Sequence, residues 1–218
     1  MKSCFNRPTP NTPSIIKCFE GILSEMKEEH NLIVSGSLSE EEAVEYVQDL
    51  MCKAKPVSHN PDMAFWGLDE PNSMPADARV EFFYQPTYLL TANLIHLSVQ
   101  YPAIFTDEKA AGCLKKALLA STGREFMGAG YERRKGLLEA MTIFSHTPMG
   151  VFLKHHADWC PVFEELWTMN LKQIRRALED GSAYAMPDEW SGLPRDESAA
   201  FRGVVESVEK ADLKFTQM

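Results

Sequence analysis

The sequence predicts an all-α protein. Apolar side chains recur at about 3.6-residue spacing over most of its 218 residues. Ser39-Glu40-Glu41-Glu42 stands immediately before one such run and has the form of a capping box: the Ser hydroxyl accepts an amide proton of the first turn, and the acids suit the positive helix end. Short polar or Gly/Pro-containing stretches separate most of the periodic segments. Together these predict seven or eight helices packed as antiparallel hairpins in a single domain spanning residues 1–218.

The first helix carries Ile15, Ile16, Phe19, Ile22, Leu23 and Met26 on one face. Val34-Ser35-Gly36-Ser37 turns the chain. The second helix then places Ala43, Val44, Val47, Leu50, Met51 and Ala54 inward, so the pair reads as a helical hairpin. Residues 56–85 break the rhythm. Pro56, Pro61, Gly67, Pro71 and Pro75 fall here, with Phe65 and Trp66 as aromatic exceptions. This predicts an irregular connection lying over one end of the body, with an extended piece at 79–84.

Helices resume at Pro86, which is tolerated in a first turn that needs no amide donor there. Residues 86–101 are apolar on most faces, so this helix is expected at the centre. Residues 107–121 carry a stripe of Ala110, Ala111, Leu114, Ala117 and Leu118, and residues 132–145 group Leu137, Leu138, Met141 and Phe144. A short helix follows at 148–156. A longer one runs from Cys160-Pro161 to about Glu179, where Gly181 is placed to stop it. After a polar loop at 187–198, Phe201, Val204, Val205, Val208, Ala211 and Phe215 mark a last amphipathic helix within 199–218.

The helix rhythm of residues 86–179 resembles the hairpin layers of α/α toroids and related helical solenoids. That resemblance implies a concave end where ligands bind. It transfers no catalytic residues.

Composition bounds the function. Lys plus Arg number 22 and Asp plus Glu 31, a formal net charge of −9. Such a chain repels a phosphate backbone over most of its surface, which argues against general nucleic-acid binding. The five cysteines are widely spaced and form no C-x-x-C pair, which fits reduced thiols and a cytoplasmic location. Pro8, Pro10 and Pro13 interrupt any signal-peptide core. The best apolar run, Tyr88–Tyr101, is about 14 residues long and contains Asn93 and His96, too short and too polar to span a bilayer.

Three stretches contain chemistry-bearing residues. In the first, Asp77, Arg79 and Glu81 alternate with Ala78, Val80 and Phe82. On an extended backbone the three charges share a face, where Arg79 would orient both carboxylates. With Trp66, Tyr84 and Tyr88 nearby this reads as a polar rim for acid–base work or for a polyol or amine, or else as a salt-bridged latch between the connection and the next helix.

The second is GREFMGAGYERRKG, residues 123–136. Its Gly128-Ala129-Gly130 lacks the third glycine of a dinucleotide fingerprint. Lys115, Lys116, Arg124, Arg133, Arg134 and Lys135 outweigh Glu125 and Glu132. This fits a pocket for a phosphate, a carboxylate or an acidic partner helix, or a solvated helix face. In the third, KHHADWCP at 154–161, neighbouring His155 and His156 point about 100° apart and match no closed zinc motif, so no metal site and no cofactor are expected.

Asn93 and His96 are the polar exceptions on the central helix. They read as satisfied core groups, or as anchors of a small-ligand pocket shared with Tyr84 or Tyr131. Two function classes follow. One is a helical binding or interaction module, a homo-oligomer or adaptor, of unknown protein partner. The other is an enzyme or binder of a small polar or anionic ligand, with its pocket formed by the 66–88 loop and the 124–134 turn. Its candidate residues are Trp66, Asp77, Arg79, Glu81, Tyr84, Asn93, His96, Arg124 and Tyr131. The interaction module is the leading expectation, since helical architecture alone does not establish chemistry.

Overall fold

The computed structural model of the chain describes residues 12–57, 60–67, 84–122, 139–144 and 146–156, and isolated positions in 165–206. The described residues are mostly helical. In order they form α1 (Thr12–Val34), α2 (Glu40–Lys53), the strands β1 (Lys55–Val57) and β2 (Asn60–Phe65), α3 (Gln85–Gln100), a 3-10 turn (Pro102–Thr106), α4 (Glu108–Thr122) and α5 (Met149–His155). Residues 139–144 are helical as well, as are described positions within 165–179 and 199–206. A two-residue pair, β3 (Met186–Pro187) with β4 (Pro194–Arg195), completes the order.

Helix ends follow from local chemistry. Gly36 takes φ 69°, a left-handed conformation that favours glycine. Ser37 N–H reaches Leu32 O and Gly36 N–H reaches Ile33 O, both at 3.0 Å, so α1 closes in a Schellman motif. Glu42 N–H donates to Ser39 Oγ, and the Glu42 carboxylate accepts from Ser39 N–H at 2.8 Å, so the expected capping box is formed at α2. These bonds hold the Glu42 carboxyl below its usual pKa. At α4, Asp107 Oδ2 accepts Ala110 N–H at 3.1 Å.

Helix α3 is central, as its apolar sequence predicts. Every residue from Pro86 to Ser98 is buried. It packs on α1, α4 and α5, and α1 meets α3 more extensively than it meets α2, so the first two helices are not primarily a hairpin with each other. Tyr88, Leu94, Ile95 and Leu97 fill the middle, with Met26 and Ile33 from α1, Leu114 from α4 and Phe152 from α5. Each such side chain contributes about 1.5–3 kcal/mol on burial. Two long-range bonds fix the far end of α3: Gln100 Nε2 to Ile33 O at 3.3 Å and Tyr101 OH to Leu38 O at 2.5 Å.

The described part of the expected irregular connection has regular structure. Strands β1 and β2 pair antiparallel, here called the hairpin, with Lys55 opposite Phe65 and a register shift between Pro56 and Val57. It packs on α4 through β2, where Met63, Ala64 and Phe65 are all buried. The next residue, Trp66, ties it to the helices. Trp66 N–H donates to Thr87 Oγ1 (3.0 Å), which donates back to Trp66 O (2.9 Å), and Trp66 Nε1 donates to Leu50 O (3.0 Å). Gly67, at φ 146°, turns the chain where Lys55 Nζ bonds its carbonyl. The extended piece expected at 79–84 lies outside the described residues, save Tyr84 at the start of α3.

Candidate functional site

The described residues hold two features beyond ordinary core packing: a buried polar network and an open cleft.

The network joins α1, α2 and α3. His30 Nδ1 lies 2.5 Å from Asn93 Oδ1, and Asn93 Nδ2 donates to Tyr46 OH at 2.7 Å. Asn93 is fully buried on α3, so its amide must find partners there, and one residue from each neighbouring helix supplies them. Because the amide nitrogen serves Tyr46, Oδ1 is the acceptor and His30 Nδ1 carries the proton. The His96 ring meets the His30 ring edge-on, with centroids 6.0 Å apart. Burial, helped by the neighbouring His30, pulls the His96 pKa down to about 4, against a smaller opposing effect from the His146 backbone. Burial raises the pKa of Tyr46 too, and that of Glu29, where Lys53 opposes the shift and Glu25 and Asp49 add to it. Glu29 Oε2 and His96 Nε2 are buried without a hydrogen-bond partner. Burial therefore keeps His96 uncharged at neutral pH, and the Asn93 bonds fix three helices to one another.

The cleft, about 730 Å³, lies between α2, the hairpin and α4. Two helical faces oppose each other across it. Gln48, Met51, Cys52 and Lys55 line one side, and Lys109, Gly112, Cys113 and Lys116 the other. Gln48, Met51 and Cys52 on α2 follow i, i+3, i+4 spacing, and Lys109, Gly112, Cys113 and Lys116 on α4 follow i, i+3, i+4, i+7 spacing, which brings each set to one side of its helix. Lys55 itself lies just past the end of α2, in β1. Pro61, Met63 and Ala64 of the hairpin add an apolar wall. The cleft is open at Gly112: a methyl group there would meet no atom outside its own helix within 4 Å.

The cations at the rim are positioned. Lys116 Nζ donates to Pro61 O at 3.0 Å, and Lys55 Nζ to Gly67 O at 2.9 Å with the ammonium 6.0 Å from the Phe65 ring centre. Burial pushes the Cys113 thiol up to about 11, partly offset by Lys116, so it stays protonated and is a weak nucleophile. Among the described residues, no histidine lines the cleft. Among the described residues, no cluster of three His, Cys, Asp or Glu side chains could hold a metal ion.

Of the residues expected from the sequence, Asn93 and His96 lie one helical turn apart on α3 beside His30, and only Asn93 bonds to Tyr46. Trp66 is buried and spends its indole N–H on the Leu50 carbonyl. Tyr84 is buried at the start of α3. Asp77, Arg79, Glu81, Arg124 and Tyr131 lie outside the described residues, and so does most of the pocket expected from 66–88 and 124–134. Sequence reading missed Glu29, His30 and Tyr46. His30 sits in the charged run Lys27-Glu28-Glu29-His30-Asn31, which resembles a solvated face, and only its place four residues after buried Met26 hinted otherwise. Lys116, one of the expected basic cluster, stands at the cleft rim.

No helix among the described residues is long and apolar enough to cross a membrane. No protein-family model, no curated protein and no solved structure matches the chain.

Proposed function

We propose that this protein is a helical interaction module that docks a segment of a partner protein in the cleft between α2, the hairpin and α4. One observation carries the reading: two helix faces of matching spacing flank a trough with an apolar wall, open at Gly112. An open groove between helices suits a docked chain segment better than a small molecule, which is normally enclosed over most of its surface. The two methionines add side chains that adapt to a partner's shape. The same reading takes the chain to be cytoplasmic, on its cysteine pattern, and takes its helices as seven or eight in toroid-like hairpin layers.

The test is co-purification from native cells with three baits: wild type, Gly112→Leu and Gly21→Leu. Gly112→Leu projects a branched side chain into the cleft, while Gly21→Leu places the same side chain on the exposed face of α1, where an added Cβ also meets nothing. A protein retained by wild type and Gly21→Leu and lost with Gly112→Leu supports the proposal. Identical sets with all three baits contradict it.

A further inference from the structure

Resting on that reading of the cleft, we propose that its partner segment is an acidic amphipathic helix, with apolar side chains against Met51 and Met63 and carboxylates on Lys109 and Lys116.

Charge is the first ground. The chain as a whole is at −9, yet among the described residues the cleft lining carries Lys55, Lys109 and Lys116 against Glu108 as the one acid. A cationic rim on an acidic protein selects against basic partners and attracts acidic ones. Pre-organisation is the second. Lys116 is tethered through its ammonium to the Pro61 carbonyl, so it loses less freedom on pairing than an untethered lysine. An ammonium has three N–H donors, and one bond to a carbonyl leaves it able to meet a carboxylate as well.

Backbone chemistry decides helix over strand. A partner strand would need a run of free amides and carbonyls on the hairpin edge. Pro56 in three-residue β1 and Pro61 in β2 have no amide to give, and the register shift beside Pro56 disrupts that edge further. A helix needs no such edge. Its apolar stripe fits between two helices whose facing residues repeat with the same period.

The test uses three synthetic helical peptides with one shared Leu/Met face and a polar face of Glu, Gln or Lys, titrated by fluorescence polarisation. The proteins are wild type, Gly112→Leu and the pair Lys109→Glu/Lys116→Glu, each first shown folded by circular dichroism. The acidic peptide should bind wild type at least about tenfold more tightly than the Gln peptide, and weaken as salt rises from about 50 to about 300 mM. The charge-reversed pair should lose that preference and gain affinity for the Lys peptide, and Gly112→Leu should bind none. Equal binding of Glu and Gln peptides, or a preference that survives charge reversal, overturns the acidic partner while leaving the cleft as the docking surface. Absence of any binding, or binding unchanged in Gly112→Leu, overturns both.

Discussion

His30 and Asn93 are 63 positions apart in sequence, yet His30 Nδ1 lies 2.5 Å from Asn93 Oδ1. That bond and the one from Asn93 to Tyr46 make a single buried amide the junction of three helices. Removing it strands two polar groups at once. Asn93→Ala should therefore cost about 2–4 kcal/mol, more than a typical single hydrogen bond. Tyr46→Phe, which removes one arm only, should cost about 1 kcal/mol. Urea denaturation of both single variants and the double should show non-additivity, since they share one network. Additive losses would separate the two arms.

His96 gives the protein a pH dependence of defined sign. Its folded-state pKa is about 4 against the ordinary 6.5, so the native state holds the neutral ring. Above about pH 6.5 its contribution to stability is complete. As pH falls, the unfolded chain takes up the proton first, and stability is lost progressively toward pH 4. After allowance for solvent screening the loss is roughly 2 kcal/mol. His96→Gln removes it. The comparison is the wild-type minus variant difference in unfolding free energy at pH 7 and at pH 4.5, where carboxylates common to both proteins cancel. A difference independent of pH would contradict the assignment.

Two glycines should respond to alanine in opposite directions. Gly112 is helical and faces open space, so Gly112→Ala should stabilise by about 0.5–1 kcal/mol. Gly36 sits at φ 69°, and an added methyl would press on Gln100 Nε2 at 3.3 Å. Gly36→Ala should destabilise by about 1–2 kcal/mol. Thermal unfolding of the two variants reads both signs.

The α2 cap is a simpler case. Ser39→Ala leaves the Glu42 amide without its acceptor and should cost about 1 kcal/mol. Ser39→Asp, which keeps an acceptor at the positive helix end, should recover most of it.

Much of the helical pattern was legible because a buried face repeats with the helix period. The run from Pro86 to Ser98 reads as a central helix on composition alone, and the α2 cap on four residues. The hairpin was not legible. Pro56 and Pro61 argue against strands, and Met63, Ala64 and Phe65 are buried in succession where alternation would mark a strand with one wet face. The cleft was hidden for another reason. Lys109, Gly112, Cys113 and Lys116 look like the solvated side of an amphipathic helix, and only the tertiary approach of α2 and the hairpin makes that side a wall. Asn93 and His96 were recognisable as polar exceptions on an apolar helix. Their neighbour His30, half-buried, stood in a charged run where only its place four residues after Met26 set it apart from a solvated residue.

The cleft as docking surface is most directly tested by hydrogen–deuterium exchange of the full chain with and without the acidic helical peptide. The account predicts added protection confined to residues 48–57, 61–65 and 108–116. Protection centred instead on residues 26–33 and 93–96, or none on the two lysine-bearing faces, would contradict it.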